Sequence, residues 1–158
     1  MNPRPYAEAD LAAMLALNNA HATELGPLDS GSLARLVAIA MQVRIAGAMD
    51  GFLIGLDETA DYASPNFLWF RARFDRFAYI DRVVVAEAAR GRGIARALYE
   101  DFFAAARTAG QARVTCEVNY DPPNPTSEAF HAALVFEEIG RATLADRGKS
   151  VRYLSRAL

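Results

Sequence analysis

One segment constrains the fold of this chain more than any other: Val83-Val84-Val85-Ala86-Glu87-Ala88-Ala89-Arg90-Gly91-Arg92-Gly93-Ile94-Ala95-Arg96. Phe77 to Ala86 reads as a strand, and its three consecutive valines suit burial on both faces. Ile94, Leu98, Tyr99, Phe102 and Phe103 recur at helical spacing, with Gly110 to close the helix. A buried strand therefore runs through a glycine turn into a helix N-terminus. The first amides of such a helix lack partners, its dipole favours negative charge, and glycines let a ligand approach the backbone. Arg90, Arg92 and Arg96 crowd the same end, where they oppose the dipole. A bound anion would relieve that conflict.

The flanking pattern extends this unit into a mixed α/β domain. Asp10, as N-cap, precedes a helix with Leu11, Met14, Leu15 and Leu17, and Asp29/Ser30 start a second with Leu33, Leu36, Val37 and Met41. Strand-like runs at 42–48 and 52–56 flank Asp50-Gly51, a short hairpin signal. The aromatic and arginine-rich stretch from Asp57 to Arg76 lacks a period and reads as an ordered loop or short helix with a role of its own, or else as a hydrophobic flap or dimer contact. Arg113 to Val118 is a further strand. A proline-rich turn then leads into a short helix through Leu134, and strands follow at 137–141 and 150–154 with Gly148 between them. One domain over 1–158 is expected.

Composition narrows the function classes. Lysine and arginine total 17 against 19 acidic residues, a net charge of -2, which argues against a nucleic-acid binder. The single cysteine, Cys116, excludes an internal disulfide and points to a reducing compartment. No apolar stretch reaches the roughly 20 residues of a membrane-spanning helix. The N-terminus lacks the apolar core of a signal peptide, so a cytoplasmic protein without membrane partners is expected. His21, His131 and Cys116 are dispersed, which leaves a structural zinc site without ligands, and no metal is expected.

Three phosphate-loop patterns compete for the glycine turn. The nucleotide P-loop needs a lysine that is absent here. The dinucleotide fingerprint gains Gly91, Gly93 and Glu117, about twenty residues on, but Arg96 stands where its third glycine belongs. The third is carried by Arg90-Gly91-Arg92-Gly93-Ile94-Ala95, together with Asn124-Pro125-Thr126-Ser127-Glu128-Ala129-Phe130-His131-Ala132-Ala133-Leu134-Val135-Phe136 at the matching distance downstream. These two segments resemble the pyrophosphate loop and the Asn…Tyr-x-x-Leu-Gly-Phe segment of the Gcn5-related N-acetyltransferase (GNAT) superfamily. Arg4-Pro5 and Ala9-Asp10-Leu11 look like its first strand and helix.

The resemblance implies a mostly antiparallel central sheet with a splayed parallel strand pair, flanked by about four helices. It implies acetyl-CoA as co-substrate and direct transfer of the acetyl group to a primary amine of a small molecule or peptide, with a homodimer common among relatives. The pantetheine arm would pair with the main chain around Val83, Val84 and Val85, and the Val85 amide would face the thioester carbonyl. The pyrophosphate would lie on the amides from Gly91 through Arg92, Gly93, Ile94 and Ala95 to Arg96, with Arg90 beside it and Asn124 near the cofactor. Asp81 matches the position of a catalytic base, placed on the face of Val83 and Val85 by the two-residue period. His131 replaces the usual tyrosine acid and would protonate or hydrogen-bond the departing thiolate, with Ser127 or Tyr120 as other donors. Val135 replaces the usual glycine. Asn124 is also a good N-cap ahead of Pro125. A non-catalytic acyl-CoA-binding module and a nicotinamide-nucleotide binder stand as alternatives.

Overall fold

The computed structural model describes residues 2–21 and 25–158. One seven-stranded sheet runs in the order β1-β2-β3-β4-β5-β7-β6. Its strands are β1 (Arg4–Pro5), β2 (Gln42–Ala46), β3 (Gly51–Asp57), β4 (Ala78–Val85), β5 (Arg113–Asp121), β6 (Glu137–Leu144) and β7 (Lys149–Ala157). All neighbours are antiparallel except β4 and β5. That parallel pair is hydrogen-bonded only at Ala78–Val114 and Tyr79–Thr115, after which the two strands separate. The mixed sheet with a splayed parallel pair is therefore as the sequence leads one to expect.

Five α-helices are present among the described residues: α1 (Leu11–Ala20), α2 (Ser30–Ile39), α3 (Pro65–Arg71), α4 (Ile94–Thr108) and α5 (Pro125–Ala133). The amphipathic α4 buries Leu98, Tyr99, Phe102 and Phe103 against one face of the sheet, where α5 adds Phe130 and Leu134 follows it. Helices α1, α2 and α3 cover the other face through Met14, Leu33, Leu36, Phe67 and Phe70. Burying these large side chains supplies about 1.5–3 kcal/mol each.

Local details depart from the sequence reading in instructive ways. Asp10 does not cap α1 with its side chain; it accepts from Ala7 N at 2.8 Å and pairs with Arg4 at 2.8 Å, tying the first strand to the turn before α1. The hairpin between β2 and β3 turns over the four residues 47–50, with Gly47 at φ +61°. The segment after β3 holds a true helix, α3, with Pro65 at its first turn.

The β3–β4 ladder carries a β-bulge. Ile54 pairs with Arg82 and Gly55 with Ile80, so Asp81 has no opposite residue. The strict two-residue alternation therefore breaks at Asp81. Ala78 and Ile80 point to the α4 face and so do Val83 and Val85, whereas Tyr79 and Val84 point to the other. Asp81 reaches Tyr62 on the α3 side, so it does not share the face of Val83 and Val85. Gly55 lies where Phe102 presses on the strand, and a Cβ there would come within 2.2 Å of that ring.

Val135 keeps the backbone conformation of the glycine it replaces, at φ +66°. A β-branched side chain in the left-handed region is strained by about 1–3 kcal/mol. Its side chain is 66% exposed, so little packing offsets that cost. Val135→Gly should therefore raise the thermal midpoint by a few degrees. An unchanged or lower midpoint in a calorimetric scan would show that the turn is not strained.

Candidate active site

The site begins where β4 and β5 part. From Ile80 to Val85 the β5-facing edge of β4 has no strand partner, which leaves backbone donors and acceptors along one wall of a gap. The two strands still diverge from a common, hydrogen-bonded root, so the gap is a wedge through the sheet. A cavity of about 250 Å³ occupies it. From the α4 face come Tyr99, Asn124, Ser127 and His131; from the other come Tyr62, Ser64 and Asn66. Asp81, Val83, Glu117 and Asn119 line the strands themselves, and Arg147 and Lys149 approach from the β6–β7 hairpin. The cavity is thus reachable from both faces of one sheet.

Beyond β4, Glu87–Ala89 makes a short 3-10 turn, and Gly91 and Gly93 take φ +80° and +75° ahead of α4. A Cβ at either glycine would meet nothing within 4 Å. Glycine is favoured there by conformation. No side chain caps α4, and its first amides stay open to a ligand.

The three arginines at this end do not converge equally. Arg96 pairs with Glu100 one turn along the helix at 2.9 Å, and Arg92 reaches Asp50 of the β2–β3 turn at 3.5 Å. Arg90 Nη2 lies 3.0 Å from His21 Nε2. With His21 Nδ1 3.1 Å from the Leu17 carbonyl, Nδ1 is the donor and Nε2 accepts from Arg90. His21 thus ends α1 beside the glycine turn and the Val83–Val85 main chain, a link the sequence alone does not reveal.

The two carboxylates of the gap differ sharply. Asp81 has both oxygens engaged: Tyr62 Oη donates to Oδ1 at 2.7 Å and Arg82 Nε to Oδ2 at 2.8 Å. Arg82 in turn donates to the buried Asn18 of α1 at 2.9 Å. The pair is sunk in the protein, with 4% of the Asp81 side chain and 9% of the Arg82 side chain exposed. Glu117, by contrast, is in none of the ion pairs between described residues and accepts from Tyr79 Oη. Burial, and secondarily the nearby Asp81 charge, push its carboxyl up to about 8, against the Tyr79 hydrogen bond and the more distant Arg82 and Arg147. A perturbed carboxyl that opens onto a cleft has the attributes of a proton-transfer group. Sequence reading took Glu117 only as a dinucleotide-fingerprint residue, because its surroundings are assembled from β4.

His131 is likewise fully engaged. Its Nδ1 donates to the Ser127 carbonyl at 2.7 Å, so Nε2 accepts from Tyr99 Oη at 2.8 Å. Burial lowers its pKa, which favours this neutral form. Asn124 caps α5 by accepting from Ser127 N at 3.2 Å while also lining the gap. Tyr120 lies under Arg141 and Arg152, away from the cavity, and Glu58 is held by Arg76 and Gln111. Among the described residues no cluster of His, Cys, Asp and Glu could hold a metal, and no helix is long and apolar enough to cross a membrane.

A sheet split between two parallel strands, with a glycine turn and helix N-terminus at one end of the split, is the architecture of an acetyltransferase fold. The chain belongs to the acetyltransferase (GNAT) family, whose sequence model matches residues 50–136, over half of its length. Solved structures share the fold. Ribosomal-protein-alanine N-acetyltransferase from Brucella melitensis is 22% identical over all of both chains, with a TM-score of 0.75. Ard1 from Thermoplasma volcanium is 17% identical over 99% of this chain and 97% of its own, with a TM-score of 0.77. A chain of the NatC complex bound to Gag peptide and CoA is 16% identical over 100% of this chain and 99% of its own, at 0.76. No curated protein sequence matches.

The raised Glu117 carboxyl has a consequence for stability. Its pKa lies near 8 in the folded chain and near 4.5 when exposed, so between these values the folded state binds more protons than the unfolded one. Stability from this group is complete below pH 4.5 and is lost as pH rises through about 8. Glu117→Gln should remove that loss and raise the thermal midpoint at pH 8–9 by a few degrees over the parent. Parallel midpoint-versus-pH curves for the two proteins would contradict the assignment.

Proposed function

We propose that this protein is an acetyl-CoA-dependent N-acetyltransferase that moves the acetyl group directly to a primary amine, with Glu117 as general base. The observation that carries the reading is the gap itself. It offers an unpaired strand edge and a glycine turn for an extended, phosphate-bearing donor, and a carboxyl of raised pKa at the junction of both faces. The bound thioester supplies the activated acetyl group. The main chain of Val83, Val84 and Val85 holds the pantetheine arm as an added half-strand. Amides from Gly91 to Arg96 hold the pyrophosphate with Arg90, itself steadied by His21. Asn124, Ser127 and His131 form the wall beside the sulfur.

The acceptor enters from the α3 side, where Glu117 removes a proton from its ammonium or from the nitrogen as it attacks. The C–N bond forms, the C–S bond breaks with its electron pair leaving on sulfur, and the nitrogen's second proton passes to that thiolate as the amide forms. Asp81, already bound by Tyr62 and Arg82, holds that wall and keeps the Glu117 carboxyl high through its charge. His131 in its neutral form cannot give up its Nδ1 proton without losing the Ser127 carbonyl. The Ser127 hydroxyl, on the same helix turn and in the same cavity, is the donor that steadies the thiolate.

Calorimetry with acetyl-CoA should show binding that Gly93→Ala and Arg90→Ala each weaken about tenfold or more, because an L residue at φ +75° is strained and a cation is lost. Absence of any affinity in the parent protein rejects the reading. With an active acceptor, log kcat/KM should climb with pH and bend near 8, at the same point for every acceptor. Glu117→Gln should abolish that bend and cut turnover by about 10²–10⁴ while acetyl-CoA still binds. Asp81→Asn should keep the bend and move it to lower pH, since a negative neighbour is removed. The reverse result, a bend lost with Asp81→Asn and kept with Glu117→Gln, makes Asp81 the base. Tight acetyl-CoA binding without turnover on any amine would mark a non-catalytic acyl-CoA module.

A further inference from the structure

The charge around the acceptor half of the gap does not fit a plain amine. An enzyme that draws in alkylammonium ions gains by presenting negative charge at the mouth. Here Asp81 is cancelled by Arg82 at 2.8 Å, and Glu117 is protonated over most of the range below pH 8. Among the described residues that line that side, the charge left over is that of Arg147, from the short 3-10 turn between β6 and β7. Arg147 is exposed at the rim yet near enough to pull the Glu117 carboxyl downward. None of the ion pairs among the described residues uses it. Across the cavity, Asn66 is fixed by Tyr153, which donates to its Oδ1 at 2.9 Å, so the amide presents its N–H end to a ligand.

Size points the same way. The cavity of about 250 Å³ must hold both the acetyl end of the donor and the acceptor, less than the 300–1,000 Å³ usual for a drug-sized ligand. A peptide N-terminus would place a neutral amide beside Arg147. A free amino acid places a carboxylate there, and a planar guanidinium is the side chain best matched to it.

We infer that the acceptor is a small free amino acid, its carboxylate held at the rim by Arg147 and its amine turned inward to Glu117. The inference rests on the acetyltransferase reading above and narrows it to one substrate class.

The test uses the full chain with acetyl-CoA and follows thiol release with matched sets of acceptors: free amino acids, their carboxamides, their decarboxylated amines, and dipeptides beginning with the same residue. At least one free amino acid should exceed its carboxamide and amine by about tenfold or more in kcat/KM, and this preference should shrink as salt rises. Arg147→Gln should bring the ratio close to one, chiefly through KM, and Arg147→Glu should invert it. Comparing ratios within each variant cancels any change at Glu117, and circular dichroism checks that the exposed substitution leaves the fold intact. Equal use of acid and carboxamide by the parent, or a preference that survives both variants, overturns the inference. Activity on dipeptides alone assigns the site to peptide N-termini and overturns it too. If acetyl-CoA binds but no free amino acid is acetylated, the amino-acid assignment falls and the donor site stands; if acetyl-CoA does not bind, both fall.

Discussion

The separation of β4 from β5 after two paired residues is the constraint on which the site depends. Parallel strands normally continue their ladder for as long as both run, because an unpaired buried backbone group costs about as much as a lost hydrogen bond. Here the ladder ends at Tyr79–Thr115 although β4 runs on to Val85 and β5 to Asp121. The bulge at Asp81 begins two residues later, on the opposite edge of β4, and a bulge bends its strand and sharpens its twist. The protein thus leaves a row of amides and carbonyls without strand partners, a cost that an extended ligand would recover by supplying the missing half-strand. Gly55 and Phe102 fit into this arrangement. The ring of α4 presses on the ladder beside the bulge, where no side chain on β3 could be accommodated.

The bulge also divides labour between the two carboxylates. It turns Asp81 and Arg82 toward the α3 side together, so the aspartate meets an arginine, a tyrosine and, through the arginine, the core asparagine of α1. That network braces one wall of the gap to a helix that carries His21 at its end, and His21 reaches Arg90 at the glycine turn. Glu117 stands on the regular strand opposite, and burial rather than an ion pair governs it. Two carboxyls in one cavity thus have opposite surroundings, one bound by an arginine and a tyrosine, the other raised by burial.

What the sequence made legible was local. The glycine turn, the helix that follows it and the Pro125 start of α5 are written in neighbouring residues, and they stand where the spacing put them. The alternation argument for Asp81 failed because a bulge is a property of two strands, and nothing within residues 77–86 announces it. Glu117 was visible as a residue but not as a buried acid, since the tyrosine and aspartate that shape it lie on another strand. The link from His21 to the glycine turn was hidden for the same reason: its partner is 69 positions away. Val135 is the converse case. The replaced glycine was noticed, and only the backbone angle shows that the turn kept its left-handed form and that the valine fits it poorly.

The near balance of charge along the chain conceals how it is distributed across the sheet. On the α4 face, Arg90 and the helix N-terminus form a positive site suited to pyrophosphate. On the α3 face, the buried pair of Asp81 and Arg82 is neutral as a unit, and Arg147 tips the rim positive. An amine entering that rim as a cation is opposed unless it carries its own negative group. A zwitterion meets no such barrier: its carboxylate stays with the arginine, and its ammonium moves into a cleft whose one titrating acid can take up the proton. The same low-polarity setting that makes ionised Glu117 costly to fold makes it a stronger proton acceptor once it ionises near pH 8.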